Sequence, residues 1–137
     1  MSRSTFVHIV VVIVALAAGA APARSQPAGE QPETVLITLH ARAGAIDSLA
    51  DVVAKHYETA RRLNLLAPAA PHLTLQAKDA DNRMYLVEIL TWRDGSIPDH
   101  APADIQAIWK EMNALVEPRS GRPGLDIVEV VPITRGK

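Results

Sequence analysis

No cysteine occurs in the 137 residues. Its absence excludes disulfides, thiol nucleophiles, thiolate metal sites and acyl attachment to a lipoprotein cysteine, so the folded part must rest on its core or on a partner chain. Aromatics are scarce: one Phe, two Trp and two Tyr. Neither sign of charge dominates, because 14 basic residues face 15 acidic ones for a formal −1. Without a basic stripe, nucleic acid is not an expected partner. Ser48 and Ser96 lack a Gly-x-Ser-x-Gly context, and there is no glycine-rich phosphate loop. The longest apolar run, Ile9 to Ala21, falls short of the ~20 residues a spanning helix needs.

That run carries its meaning in its flanks. Arg3 precedes it and Ala21-Pro22-Ala23 follows, the small residues a signal peptidase inspects. Residues 1–23 therefore read as a secretory signal cleaved after Ala23, and the mature chain is expected in the periplasm or outside the cell, without stable membrane insertion. An uncleaved N-terminal anchor is the competing reading, since Pro22 blurs the cleavage site. Cleavage removes Arg3 alone among the charged residues and leaves 13 basic against 15 acidic, a formal −2.

Residues 24–33, RSQPAGEQPE, are polar and rich in Pro and Gly, and read as a flexible linker. The folded domain is expected over 34–133, with 134–137 as a tail. TVLITLHAR, 34–42, alternates Val35, Ile37, Leu39 and Ala41 with Leu36, Thr38, His40 and Arg42, the period of a strand. After Gly44, a possible cap, the stretch 45–66 places Ile46, Leu49, Val53, Tyr57, Ala60 and Leu63 at helical steps, with Asp47 in the first turn. HLTLQAK, 72–78, and MYLVEILTW, 84–92, read as a hairpin around the turn residues DADNR. A second helix is expected over 103–116, on a stripe of Ile105, Ile108, Trp109, Met112, Leu115 and Val116, and a last strand over 125–133.

The order βαββαβ predicts an α+β, ferredoxin-like fold: a four-stranded antiparallel sheet with both helices on one face. The other face is expected to carry Leu36, Thr38 and His40, then His72, Thr74 and Gln76, then Leu86, Glu88, Leu90 and Trp92. So apolar a face calls for cover. A second copy of the sheet would supply it, making a homodimer with a barrel-like space between the sheets.

Here the sequence resembles the dimeric α/β-barrel superfamily that includes the antibiotic-biosynthesis-monooxygenase-like domains. The likeness spans about Thr34 to Ile133 and rests on the element order, on YLVEILTWRD ending in the region of Trp92, on His100 after it and on IQAIWKEM in the second helix. Members include cofactor-free quinone oxygenases, haem-degrading enzymes and domains without a known role. The haem-degrading pattern uses an Asn on the first strand, a Trp near the second helical region and a His on that helix. This chain has His40, His100 and no His from Pro102 onward, so haem degradation of that kind is disfavoured.

The resemblance and the strand parities together nominate His40 and Glu88 as a catalytic pair, a carboxylate orienting an imidazole that takes a proton from a phenol or hydroquinone. Thr38, Thr74, Leu86, Leu90, Trp92 and His100 are the candidate ligand-binding residues. A self-satisfied buried pair is the structural alternative for His40 and Glu88. His56 and His72 read as surface or interface residues, and Trp109 and Met112 as core. The histidines show neither HxxxH nor HxH spacing, so no metal and no cofactor is expected. The function these readings imply is a cofactor-independent, monooxygenase-like activity on an aromatic or quinone-type small molecule. The alternative is a non-catalytic ligand-binding or stress-associated domain of the same fold.

Overall fold

The computed structural model describes residues 31–133. The export signal read over 1–23, the linker up to residue 30 and the tail at 134–137 lie outside the described residues. The elements are β1 (Glu33–His40), α1 (Ile46–Arg62), β2 (Leu73–Lys78), β3 (Met84–Trp92), α2 (Ala103–Leu115) and β4 (Leu125–Glu129), with a 3-10 turn at Pro98–His100 before α2. All four strands form one antiparallel sheet in the order β2-β3-β1-β4. This is the expected ferredoxin-like α+β arrangement.

Local chemistry accounts for the element ends. Gly44, at φ +74°, turns the chain between β1 and α1 in a conformation that L side chains rarely adopt. The N-cap itself is Ala45, with no side-chain cap, and Asp47 sits in the first turn while Arg61 and Arg62 sit in the last, matching the helix dipole. α1 stops at Arg62 rather than Leu66 because Asn64 takes a left-handed φ of 56°, which Asn tolerates. In the β2–β3 turn, Asp79 Oδ1 accepts the backbone N–H groups of Asp81 and Arg83, both at 2.9 Å. β4 ends at Glu129, short of the expected Ile133, although the Val130 N–H still reaches Thr34 O at 2.9 Å. Pro132 then has no N–H to give a ladder.

The two helices pack over the sheet on Leu49, Val53, His56 and Ala60 from α1 and Ile105, Ile108 and Met112 from α2. Beneath them lie Val35, Ile37 and Leu39 of β1. The loop from α2 to β4 is tied down by Arg119. Its side chain is buried and donates to Ala41 O at 2.9 Å, Met84 O at 3.1 Å and Asp79 Oδ2 at 3.3 Å. Gly124 belongs to the same junction: a Cβ there would sit 2.7 Å from the backbone of Glu117, so only glycine fits.

The faces of β1 are as its alternation predicts, with Leu36, Thr38 and His40 away from the helices. Those of β2 and β3 are the reverse. Pairing sets Val35 against Leu90, Ile37 against Glu88 and Leu39 against Leu86, and residues paired across a ladder share a face. Leu86, Glu88, Leu90 and Trp92 are therefore buried under the helices. Thr74, opposite Glu88, and Gln76, opposite Leu86, follow them to the helix side. The open face is made instead by Leu36, Thr38, His40, Leu73, Leu75, Tyr85, Val87, Ile89, Asp126 and Val128.

Candidate active site

Glu88 stands at the middle of β3, wholly buried beneath α1. A carboxylate in such a place is costly unless its oxygens are hydrogen-bonded. Both are. Oε2 lies 3.1 Å from His56 Nδ1, and Oε1 lies 3.0 Å from His72 Nε2. His56 reaches it because it belongs to the buried stripe of α1, where Leu49, Val53, His56 and Ala60 recur at steps of four, three and four. His72 reaches it from the residue before β2, on the strand next to β3.

A fourth residue orders the group. The indole Nε1–H of Trp109 on α2 donates to His56 Nε2 at 3.1 Å. An indole N–H only donates, so Nε2 of His56 must accept and its proton must be on Nδ1, pointing at Glu88. Trp92, from the end of β3, packs edge-on to both, 5.7 Å from the ring of His56 and 6.3 Å from that of Trp109. The helix side of Glu88 is thereby closed.

The other side opens. The His72 side chain is 22% exposed, whereas those of His56 and Glu88 have no exposure at all. Its ring lies flat on that of Tyr57, with centroids 3.6 Å apart and planes inclined by 6°, and Thr74 Oγ1 stands 3.5 Å from its Nε2. His72 lines a cavity of about 320 Å³ together with Tyr57, Arg61, Leu66, Pro68 and Leu90. With Nε2 held by Glu88, Nδ1 is the nitrogen free to serve a ligand. A carboxylate orienting an imidazole through one nitrogen, with the other available for proton transfer, is the arrangement a general base needs.

The expected His40–Glu88 pair does not form, because β1 and β3 present these two residues on opposite faces of the sheet. His40 stacks on Tyr85 at 5.7 Å on the open face. It lines a second cavity, of about 500 Å³, with Thr38, Tyr85, Arg122 and Asp126. Its Nδ1 is buried and has no hydrogen-bond partner among the described residues. Burial, and secondarily the Arg119 charge, hold its pKa below the ordinary 6.5. Of the candidate ligand-binding residues, Leu90 lines the cavity at His72 and Thr74 adjoins it. Leu86 and Trp92 are core. His100 sits exposed in the 3-10 turn, its backbone N–H bonded to Ile97 O at 3.1 Å, and lines neither cavity.

His56, His72, Tyr57 and Trp109 form the site without having been singled out for it. The one sequence signal was His56, which fits the apolar stripe of α1 as well as Tyr57 does. Among the described residues no group of three His, Asp or Glu side chains is placed to hold a metal ion. Glu88 separates its two histidines, so their nitrogens address different oxygens rather than a common point.

The sheet order and the placement of both helices define a ferredoxin-like α+β fold. Solved structures share this fold. Protein SO0527 from Shewanella oneidensis superposes with a TM-score of 0.53 at 15% identity, over 74% of this chain and 90% of that one. Rv0793 from Mycobacterium tuberculosis gives 0.51 at 13% identity, over 78% and 100%. A protein provisionally assigned as an antibiotic biosynthesis monooxygenase, from Bacteriodes thetaiotaomicron, gives 0.53 at 12% identity, over 79% and 95%. At these identities the likeness is one of fold. No family model and no curated protein matches the sequence.

Proposed function

We propose that the protein is an exported, homodimeric enzyme of the monooxygenase type that oxidises a phenolic or hydroquinone-like small molecule without a cofactor, with His72 as the general base. The observation that carries this reading is the 3.0 Å contact between buried Glu88 and His72 at the wall of the cavity. Glu88 orients the imidazole, His56, itself held by Trp109, holds Glu88, and Tyr57 supplies a flat wall. Nδ1 of His72 takes the phenolic proton, and the phenolate is the electron-rich form that reacts with O2. When a ring C–H becomes a quinone C=O, one oxygen atom enters the product and the other leaves as water. The substrate itself furnishes all four electrons, so no outside reductant is required.

The dimer is supported by the open sheet face. Leu73, Leu75 and Val128 are 46%, 49% and 43% exposed there, beside Leu36, Val87 and Ile89. An apolar sheet face of that kind favours burial against a second copy. Export is supported by the Arg3 flank, the short apolar run and Ala21-Pro22-Ala23.

Oxygen uptake by the purified protein with a panel of phenols and hydroquinones tests the reading. Turnover should appear with some member of the panel and fall about 10²- to 10⁴-fold in His72→Ala, the usual loss on deleting a general base. Unchanged uptake in a folded His72→Ala variant would remove His72 from the chemistry. Binding without uptake by any substrate would favour a ligand-binding domain instead.

A further inference from the structure

We infer that the cavity at His72 is built for an anionic aromatic compound, a phenolic carboxylate whose hydroxyl meets His72 and whose carboxylate meets Arg61; this rests on the proposed role of His72. Among the described residues that line the cavity, Arg61 is the one permanently charged side chain, and no Asp or Glu joins it. The Glu88 carboxylate lies behind His72, wholly buried, with both oxygens already engaged. The ligand therefore meets positive charge at the mouth and an imidazole at the wall.

Arg61 is available to a ligand. Its present partner is Glu58 on the same helix, at 2.9 Å from Nη2 and 3.2 Å from Nε, and the two side chains are 63% and 60% exposed. An exposed pair three residues apart on a helix holds its members weakly, so a carboxylate can draw the guanidinium over the cavity. Arginine stays charged and offers a planar fork of N–H donors that suits a carboxylate.

Tyr57 and Arg61 are four residues apart on α1 and so share a face. The Tyr57 ring lies on that of His72, so the imidazole and the guanidinium belong to the wall of one cavity. The cavity volume sets the size of the ligand at one or two fused rings with a polar group at each end. Leu66, Pro68 and Leu90 give the apolar walls such rings need, and Asn64 and Thr91 add polar edges. A cavity of about 320 Å³ suits that size better than a long chain or a polymer.

The test uses 6-hydroxy-2-naphthoate and its methyl ester, with binding read from the compounds' own fluorescence anisotropy against wild type, Arg61→Gln and His72→Gln. The acid should bind wild type at least tenfold more tightly than the ester. Arg61→Gln should bring the acid down to the affinity of the ester while leaving the ester unchanged, and His72→Gln should weaken both and keep their ratio. Equal affinities in wild type, an acid preference that survives Arg61→Gln, or no binding of either compound would overturn the inference. The catalytic reading fails separately: an Arg61-dependent acid preference together with oxygen uptake that ignores His72→Ala would leave the ligand class standing and remove His72 as base.

Discussion

Glu88 Oε1 stands 3.0 Å from His72 Nε2, joining a fully buried carboxylate to an imidazole at the wall of a cavity. The contact is short-range in space and spans 16 residues of sequence across the β2–β3 hairpin. Because Glu88 is also held by His56 on α1, it links the sheet, the helix layer and the cavity through one side chain. Its neighbours in the sheet, Ile37 and Thr74, offer it no charge.

Removing that side chain should be expensive. Glu88→Ala leaves two imidazole N–H groups facing each other across a hole, and the expected loss is about 3–5 kcal/mol, as for breaking a buried pair from one side. Glu88→Gln keeps one acceptor but turns an amide N–H toward the other histidine, costing about 1–3 kcal/mol. Urea unfolding at fixed protein concentration measures both; a Glu88→Ala loss below that of Glu88→Gln would contradict the arrangement.

Trp109 should mark one nitrogen of His56. Nitrogen-resolved NMR of the histidine side chains should show His56 with its proton on Nδ1 in wild type, facing the Glu88 carboxylate. In Trp109→Phe, which packs but cannot donate, Nε2 loses its donor and its nitrogen signal should move, while the proton stays on Nδ1 against Glu88. An unchanged Nε2 signal in the variant would mean that the indole N–H does not donate to it.

His40 should make stability depend on pH. Its pKa is lowered in the folded protein, by burial first and by Arg119 second. The unfolded chain therefore binds a proton at higher pH than the folded one. Stability from this source is complete above the ordinary 6.5 and is lost as pH falls through the lower, folded value. Thermal unfolding from pH 7.5 to 5 should show this loss in wild type and a shallower one in His40→Gln. A variant as pH-sensitive as wild type would place the titration elsewhere.

Assembly should respond to the open face. Light scattering is expected to give a dimer at micromolar concentration, and Leu75→Lys, which puts a charge on a half-exposed position of that face, should shift it to monomer. A wild-type monomer would end the proposal that this face is covered by a second copy.

Much of the fold was legible in the chain. The alternation of β1, the apolar stripe of α1, the turn residues at 79–83 and the apolar stripe of α2 each report a local periodicity, and local periodicity is what a sequence displays directly. Their order then leaves few topologies open, and the ferredoxin-like sheet is among them. The resemblance to the α/β-barrel superfamily rested on the same elements and held at the level of the fold.

The site was not legible, and β3 shows why. Met84, Leu86, Leu90 and Trp92 make one of its faces as apolar as Tyr85, Val87 and Ile89 make the other, so hydrophobicity could not say which set faces the helices. Glu88 pulls toward the outer face, since an unpaired carboxylate is costly in a core. The register decided otherwise: pairing Ile37 with Glu88 carries the carboxylate inward, where His56 and His72, 32 and 16 residues away in sequence, satisfy it. Composition and period determined the elements because those depend on neighbours along the chain. Only the tertiary structure determined the site, because the energy of a buried carboxylate depends on donors that the fold alone brings within hydrogen-bonding distance.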